Sequence, residues 1–166
     1  MIDRIDYKFI DLLQRDARMT QQQLASAVGL SQPAVAARMR KLEQQGVITG
    51  YVARVDAHKL GKDITAFIGV SIEHPKFNAG FAKKMLALPQ VLECHRVAGE
   101  YSYLLKVRTE NTVSLDRFIA ELLRTLPGVT RSHTTIVLSS EKETTRIEPS
   151  ENLTRLRVIS RTKEGP

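Results

Sequence analysis

Residues 31 to 44 carry the side chains with the clearest chemical potential. Arginine and glutamine hydrogen-bond to guanine and adenine respectively, and small alanines let a helix backbone approach base edges closely. No acidic residue occurs between Arg18 and Glu43, as expected of a surface that lies against phosphates. The sequence therefore predicts a DNA-binding surface formed by Ser31, Gln32, Pro33, Ala37, Arg38, Arg40, Lys41 and Gln44.

Few other residues form a pattern that supports chemistry. His95 and His133, with Glu93 and Cys94 nearby, are residue types that bind zinc. Glu93 and His95 are, however, spaced as ordinary same-face neighbours of a strand. Cys94 is the one cysteine, which excludes a disulfide framework and a multi-thiolate site within one chain. The sequence also lacks a glycine-rich phosphate loop, a nucleophile elbow and a paired-carboxylate pattern. We expect no catalytic residue, no metal and no cofactor.

The composition favours a folded protein with an acidic partner. Hydrophobic residues make up 42% of the 166 residues and charged residues 26%, with a formal net charge of +7. A basic balance indicates nucleic acid or an anionic membrane surface as partner. No apolar stretch is long enough to span a bilayer, and the N-terminal residues lack the apolar region of a signal peptide. We therefore expect a cytoplasmic protein.

Three helices are expected in the N-terminal third. The first runs from its cap Asp3 to near Asp16, and the second begins at a capping box that Thr20 forms with Gln23. Gly29 ends the second helix and, after a short turn, residue 31 caps the third, which ends near residue 46. Helix, helix, short glycine turn, helix is the helix-turn-helix pattern. The β-branched stretch 47–55 predicts a strand that serves as a wing or as an arm to the next domain.

The remainder of the chain predicts a β-α-β-β-α-β series. The expected strands are 64–73, 91–97, 101–108 and 129–139. One expected helix carries Phe77, Phe81, Met85 and Leu88 on one side, and the other extends over residues 113–126. This is the ferredoxin-like arrangement, one antiparallel sheet with two helices on one face. The stretch Leu88-Pro89-Gln90-Val91 recurs as Leu126-Pro127-Gly128-Val129, as two pseudo-symmetric halves would. The fold class is therefore α+β.

An uncovered sheet face predicts a second subunit. We expect the face without helices to carry Phe67, Tyr103, Leu105 and Ile136. An exposed apolar face favours a partner, so a second copy is expected to pack sheet to sheet.

These elements divide the chain into four regions. We expect a helix-turn-helix domain at 1–50, a strand or linker at 51–62, a ferredoxin-like domain at 63–144 and a tail at 145–166. The tail is polar and basic, apart from a weak apolar stretch at Leu153, Leu156, Val158 and Ile159, and is expected to be mostly flexible.

The motifs in this order resemble the Lrp/AsnC family of feast/famine regulators over residues 2 to 144. The N-terminal likeness lies in Ile10-Asp11-Leu12-Leu13, Leu24-Ala25, Val28-Gly29-Leu30-Ser31, Leu42-Glu43 and Gly46-Val47-Ile48. The C-terminal likeness lies in Val97-Ala98-Gly99-Glu100-Tyr101-Ser102-Tyr103-Leu104-Leu105 and in Leu126-Pro127-Gly128-Val129. Any one of these motifs is weak, and the order and spacing make them strong together.

The resemblance implies a transcriptional regulator that binds a pseudo-palindromic DNA site as a dimer, and whose dimers assemble into tetramers or octamers. It implies an N-terminal winged helix-turn-helix and a C-terminal domain for ligand binding and oligomerisation. Its effector is a small molecule such as an amino acid, bound between dimers. The implied effector residues are Gly99, Glu100, Tyr101, Ser102, Tyr103, Ser132 and Thr134. Glu100 would accept from an ammonium group, and Ser132 and Thr134 would bond a carboxylate.

Two alternatives stay open from the sequence. The family often has aspartate where this chain has Ser102, and serine offers no charge to an ammonium group, so an architectural DNA-binding protein without an effector is one alternative. The other is an enzyme, because the architecture also resembles the siroheme decarboxylases. The acid-free stretch between Arg18 and Glu43, which includes most of the third helix, argues against the enzyme.

Overall fold

The computed structural model describes residues 2–148, and the chain divides into two compact units. Of the described residues, the first unit contains 2–54 and 143–148, and the second contains 55–142. The apolar stretch expected between Leu153 and Ile159 lies outside the described residues. Within the described residues, no helix is long and apolar enough to cross a membrane.

The first unit contains three helices whose ends are fixed by side-chain caps. They are α1 (Arg4–Arg15), α2 (Gln21–Val28) and α3 (Gln32–Gln44). Asp3 and Thr20 form reciprocal capping boxes at α1 and α2, and the hydroxyl of Ser31 accepts from the backbone N–H of Ala34 at the start of α3. Gly29 ends α2 at a φ of 70°, a left-handed conformation that favours glycine. The three predicted helices and their caps are confirmed.

One apolar core holds these helices together. Its fully buried members come from all three helices and are Phe9, Leu24, Val35 and Leu42. Burial of one such side chain contributes about 1.5–3 kcal/mol. The core therefore fixes which face of α3 points inward and which face stays outside.

The stretch predicted as a strand between Val47 and Val55 is extended but unpaired. No strand occurs there, and the side chains of Tyr51, Val52 and Val55 are exposed. A strand needs hydrogen bonds to a neighbour, and the described part of this chain supplies none. The prediction of a strand at 47–55 is therefore wrong within the described residues.

The segment 143–148 returns to the first unit and lies against α1. The guanidinium of Arg146 donates twice to Asp11 Oδ1, from Nε at 3.1 Å and from Nη2 at 2.8 Å. The side-chain amide of Gln14 exchanges two hydrogen bonds with the backbone of Ile147, at 2.8 and 2.9 Å. These contacts differ from the flexible tail expected from residue 145, because both partners lie on a helix more than a hundred residues away.

The second unit contains one antiparallel sheet of four strands. They are β1 (Ile64–Ile72), β2 (Val91–Arg96), β3 (Tyr103–Thr109) and β4 (Val129–Ile136). Their order across the sheet is β2-β3-β1-β4, so the two central strands are not consecutive in sequence. The register places Ile68 opposite both Leu105 and Thr134. This is the predicted ferredoxin-like topology.

Two helices cover one face of this sheet. They are α4 (Asn78–Leu86), preceded by a 3₁₀ turn at Pro75–Phe77, and α5 (Thr112–Arg117), which continues as a π-helix over Phe118–Leu123. The core between helices and sheet includes Phe81, Met85, Phe118, Ile68, Val70, Tyr103, Leu105 and Val107.

The prediction of which residues lie on the open face is correct for Phe67 only. Tyr103 and Leu105 are buried in the core beneath the helices, and Ile136 pairs with the inward residue Ala66. Side chains alternate along a strand, so the open face of β3 carries Leu104, Lys106 and Arg108 instead.

Candidate DNA-binding helix and effector grooves

The start of α3 is suited to an anion. Ser31 caps the helix, Pro33 lies in its first turn, and no acidic residue occurs in that turn. The exposed backbone N–H groups and the dipole of a helix N-terminus favour a negative partner such as a DNA phosphate. Ser31 and Gln32 are exposed at this end, so they are placed to reach such a phosphate.

One stripe of α3 faces outward along its whole length. Its exposed members are Pro33, Ala37, Arg40 and Gln44, which are spaced three or four residues apart and so share a face. The guanidinium of Arg40 makes a 3.3 Å hydrogen bond from Nε to the carbonyl of Ala36 on its own helix. The stripe therefore presents a cation, an amide and two small residues outward.

Arg38 and Lys41 face α1 rather than this stripe. The Arg38 guanidinium donates to Asp3 Oδ2 at 2.7 Å and also to Asp6 Oδ1. Lys41 Nζ lies 3.7 Å from Asp6 Oδ2, and the Asp6 side chain is 0% exposed. The backbone N–H of Asp6, followed by the Arg38 guanidinium, holds the pKa of Asp3 below its usual value.

The contacts of Asp6 with Arg38 and Lys41 were not predicted from the sequence. Helical spacing indicated Asp3 only as a helix cap and placed both Arg38 and Lys41 on the expected DNA-binding surface. The available signal was an acid three residues after the cap, on the same helix face as Asp3. The basic partners are more than thirty residues away, beyond what helical spacing predicts.

A second contact anchors the end of α3. The hydroxyl of Tyr51 donates to Glu43 Oε1 at 3.0 Å. Burial, followed by the hydrogen bond to Glu43, raises the pKa of Tyr51 to about 12. Glu43 is the first acidic residue after the acid-free stretch, and this bond links its carboxylate to the extended segment that contains Tyr51.

In the second unit, the loop Gly99–Ser102 is tied to the sheet by its last residue. Ser102 donates its backbone N–H to the carbonyl of Val70 at 2.9 Å, and its hydroxyl accepts from the backbone N–H of Ile72 at 3.0 Å. Gly99 adopts a φ of 154°, which side chains rarely adopt. Ser102 therefore holds the loop against β1, and its hydroxyl oxygen is engaged by the backbone.

Tyr101 lies on the open face of the sheet. Its ring covers Gly69, where a Cβ atom would come within 2.5 Å of the ring. The ring also stacks on His133, with centroids 6.2 Å apart. His133 is the β4 partner of Gly69, so the two rings belong to the face without helices.

Ser132 and Thr134 point to the opposite face. They pair with Val70 and Ile68, which belong to the core beneath the helices, and directly opposed residues of antiparallel strands share a face. The buried hydroxyl oxygen of Ser132 has no hydrogen-bond partner among residues 2–148. Tyr103 is also a core residue, and its hydroxyl donates to the carbonyl of Asn78 at 3.4 Å.

Five of the seven predicted effector residues line two separate grooves, whereas Tyr103 and Thr134 line neither. One, of about 350 Å³, is lined by Arg96 and the loop 97–102 together with Ile72, Pro75 and Asn78. The other, of about 280 Å³, is lined by Arg124 and residues 129–132. Glu100 of the first groove and Arg131 of the second form a 3.6 Å ion pair. Neither groove contains both the loop and Ser132.

The histidine pair does not come together as a metal site. His95 Nε2 lies 3.2 Å from Glu93 Oε2, and this hydrogen bond lowers the pKa of Glu93, with Lys106 contributing further. Over residues 2–148, no group of three or more His, Cys, Asp or Glu side chains is placed to hold a metal ion.

Comparison with known proteins identifies both units. Residues 2–49 match the family model of a winged helix-turn-helix DNA-binding domain, and residues 65–147 match that of the Lrp/AsnC ligand binding domain. The chain belongs to the Lrp/AsnC family. In this Lrp/AsnC protein, α3 occupies the position of the recognition helix of a helix-turn-helix.

Individual relatives agree with this assignment. The chain is 34% identical over 146 residues to the HTH-type transcriptional regulator FL11 of Pyrococcus horikoshii, covering 88% of this chain and 95% of that protein. It is 33% identical over 148 residues to the leucine-responsive regulatory protein of Escherichia coli K12, covering 88% and 90%. These relatives are transcriptional regulators. The Lrp/AsnC protein is accordingly a DNA-binding transcriptional regulator, and the enzyme alternative is not supported.

A solved structure shares the fold over most of the chain. The transcriptional regulator NMB0573 of Neisseria meningitidis, in complex with L-methionine, superimposes with a TM-score of 0.87 at 29% identity. The match covers 92% of this chain and 99% of the Neisseria chain.

Proposed function

We propose that the Lrp/AsnC protein reads DNA through the outward stripe of α3. The observation that carries the proposal is the exposed row Pro33, Ala37, Arg40 and Gln44 on a capped helix that lacks acids in its first turn. Arg40 and Gln44 supply the hydrogen bonds to base edges. Ser31 and Gln32 contact a phosphate at the helix N-terminus, and Arg38 and Lys41 orient the helix through α1.

The proposed DNA-binding form is a homodimer joined through the open sheet face. Phe67 is 38% exposed on this face, and Tyr101 and His133 lie beside it across Gly69. An apolar and aromatic patch on the sheet face that no helix covers favours burial against a second copy. Two copies related by a twofold axis would present two α3 helices to a pseudo-palindromic site. Further assembly to a tetramer or octamer joins such dimers.

The proposed effector is an amino acid held between two copies. The Neisseria relative was solved with L-methionine, and in this chain Glu100 and Ser132 line different grooves. A loop from one copy and a β4 strand from another would supply both ends of the ligand. Glu100 would accept from the ammonium group, and Ser132 and Thr134 would donate to the carboxylate.

A thermal-melt screen against the twenty amino acids tests the effector proposal. A ligand at about a hundred times its dissociation constant stabilises the native state by about 2.7 kcal/mol. We expect one or a few amino acids to raise the melting temperature, and Glu100→Gln to weaken this shift by removing the charge that meets the ammonium group. Lys83→Gln, an exposed change on α4 outside both grooves, is the control and should leave the shift unchanged.

The absence of any shift would overturn the amino-acid proposal. It would favour the architectural alternative, which the engaged hydroxyl of Ser102 supports because that oxygen already accepts from the backbone. The assignment of the chain as a DNA-binding regulator would stand.

Sedimentation tests the dimer. At micromolar protein concentration, we expect a species at least twice the mass of one chain. A stable monomer would overturn the proposal.

A further inference from the structure

We propose that buried Asp6 determines the specificity of DNA binding, because it withholds two cations of the recognition helix from the phosphate backbone. This inference rests on the proposed DNA contacts of α3. Three cations occur on that helix, Arg38, Arg40 and Lys41. Two of them are paired with the carboxylates of Asp3 and Asp6, and Arg40 remains on the outward stripe.

The burial of Asp6 makes this pairing obligatory. Its side chain is 0% exposed, and it meets Arg38 at Oδ1 and Lys41 at Oδ2. Asp6 also accepts the backbone N–H of Asp3 at Oδ2, at 3.1 Å. A buried carboxylate that loses its cation is strongly destabilising. Arg38 therefore cannot turn to a phosphate without leaving Asp6 with less compensation.

The charges in this cluster cancel. Asp3 and Asp6 supply two negative charges, and Arg38 and Lys41 supply two positive charges. Arg38 is one-quarter exposed and Lys41 is less than half exposed, so both lie close enough to the surface to reach a phosphate if released. The cluster thus places two cations beside the proposed DNA-binding surface, where the carboxylates of Asp3 and Asp6 neutralise their charge.

The neutral cluster affects the balance between non-specific and sequence-specific DNA binding. Phosphate contacts raise affinity for every DNA sequence, whereas contacts to base edges discriminate between sequences. A neutral cluster lowers the attraction to random DNA and leaves the base contacts of Arg40 and Gln44 in place. Asp6 therefore increases the ratio of specific to non-specific affinity.

The test is the salt dependence of Asp6→Asn, a substitution of nearly equal shape. Binding is measured to two duplexes, one of mixed sequence and one selected from a random library by the unmodified protein. We expect tighter binding of the mixed-sequence duplex, steeper salt dependence by about one unit per subunit, and a smaller ratio between the two affinities. A purely structural role would weaken binding without steepening the salt dependence.

Second substitutions identify the released cation. We expect either Arg38→Gln or Lys41→Gln, added to Asp6→Asn, to return the salt slope to that of the unmodified protein. Arg40→Gln is the control for the proposed DNA contacts. If Arg40→Gln leaves both affinities unchanged, the proposed orientation of α3 is wrong, whatever Asp6→Asn does.

Circular dichroism establishes that each variant folds. Should Asp6→Asn unfold, Asp3→Asn replaces it, because Asp3 is about half exposed and also pairs with Arg38. The proposal is overturned if the folded variant keeps the slope of the unmodified protein or shows a flatter one. It is also overturned if a steeper slope survives both second substitutions.

Discussion

The two units of this Lrp/AsnC protein position their candidate functional side chains in different ways. In the first unit, caps, core and the Asp3–Asp6 cluster fix α3 within one chain. In the second unit, Tyr101 lies on the open face of the sheet, while Ser132 and Thr134 face the helices. The proposed DNA-reading surface of α3 is thus contained in one copy, whereas the proposed effector site needs groups from two.

The largest expected effect is the loss of assembly on introducing a charge into the open face. Phe67→Glu removes an aromatic side chain from the proposed dimer interface and introduces a carboxylate opposite Lys106, so the apolar contact is lost and burial of the added charge is unfavourable. We expect monomers in sedimentation, with the fold of each chain retained. Leu138→Glu is the matched control, because Leu138 is 98% exposed beyond the end of β4. Equal sedimentation of the two variants would contradict the interface.

The second-largest expected effect is weaker DNA binding without a loss of assembly. Arg40→Ala removes the one cation of the outward stripe, and loss of a bidentate base contact costs about 1–3 kcal/mol per recognition helix. We expect weaker binding of the selected duplex and unchanged sedimentation. Lys83→Ala on α4 removes another exposed charge, from the other unit, and should change neither measurement.

The third effect compares two serines of the second unit. Ser102→Ala leaves the Ile72 N–H without its partner, at a cost of about 1–3 kcal/mol in the free energy of unfolding. Ser132→Ala removes a hydroxyl oxygen that has no partner in the described chain, so it should cost far less. Chemical denaturation measures both values. Equal costs would mean that the Ser132 hydroxyl is also structural, not reserved for a ligand.

The smallest effect is the pH dependence of the contact between Arg146 and α1. The hydrogen bond from Arg146 lowers the pKa of Asp11. A carboxyl with a lowered pKa stabilises the fold above its unfolded pKa of about 3.9, and this stabilisation is lost as pH falls through the folded value. Arg146→Ala should reduce the free energy of unfolding near neutral pH, and this free energy should then fall less as the pH is lowered. Glu148→Gln, at a highly exposed partner of Arg146, should retain the pH dependence of the unmodified protein.

Local signals in the sequence predicted most of the fold. The caps Asp3, Thr20 and Ser31 act within three residues of their targets, so spacing alone locates the helix starts. The four strands begin within two residues of the predicted positions for the same reason, because alternation and turn residues are local. The outward stripe of α3 followed from helical spacing and contains four of the eight predicted DNA-binding residues.

Two departures from the sequence-based expectations share a physical cause, which is that the relevant partner is absent from the described residues or lies far away in sequence. The stretch from Val47 to Val55 has strand-forming residues but no pairing strand in the described chain. Arg38 and Lys41 are paired with acids of α1 that are more than thirty residues away. For β3, the three consecutive apolar residues Tyr103, Leu104 and Leu105 obscured which side chains face the helices. The alternating Lys106 and Arg108 were the signal that could have revealed it.

Mixed oligomers test the central contrast most directly. One variant carries Glu100→Gln, which damages the loop groove, and the other carries Ser132→Ala, which damages the β4 groove. Each is first examined alone by calorimetric titration with the amino acid that stabilises the unmodified protein, and binding should be weakened in both. The two are then unfolded together and refolded as a mixture. If the effector site is shared between copies, some sites combine two intact halves, and a fraction of tight binding returns. If the site lies within one chain, every chain carries one defect and no tight binding returns, which would contradict the account.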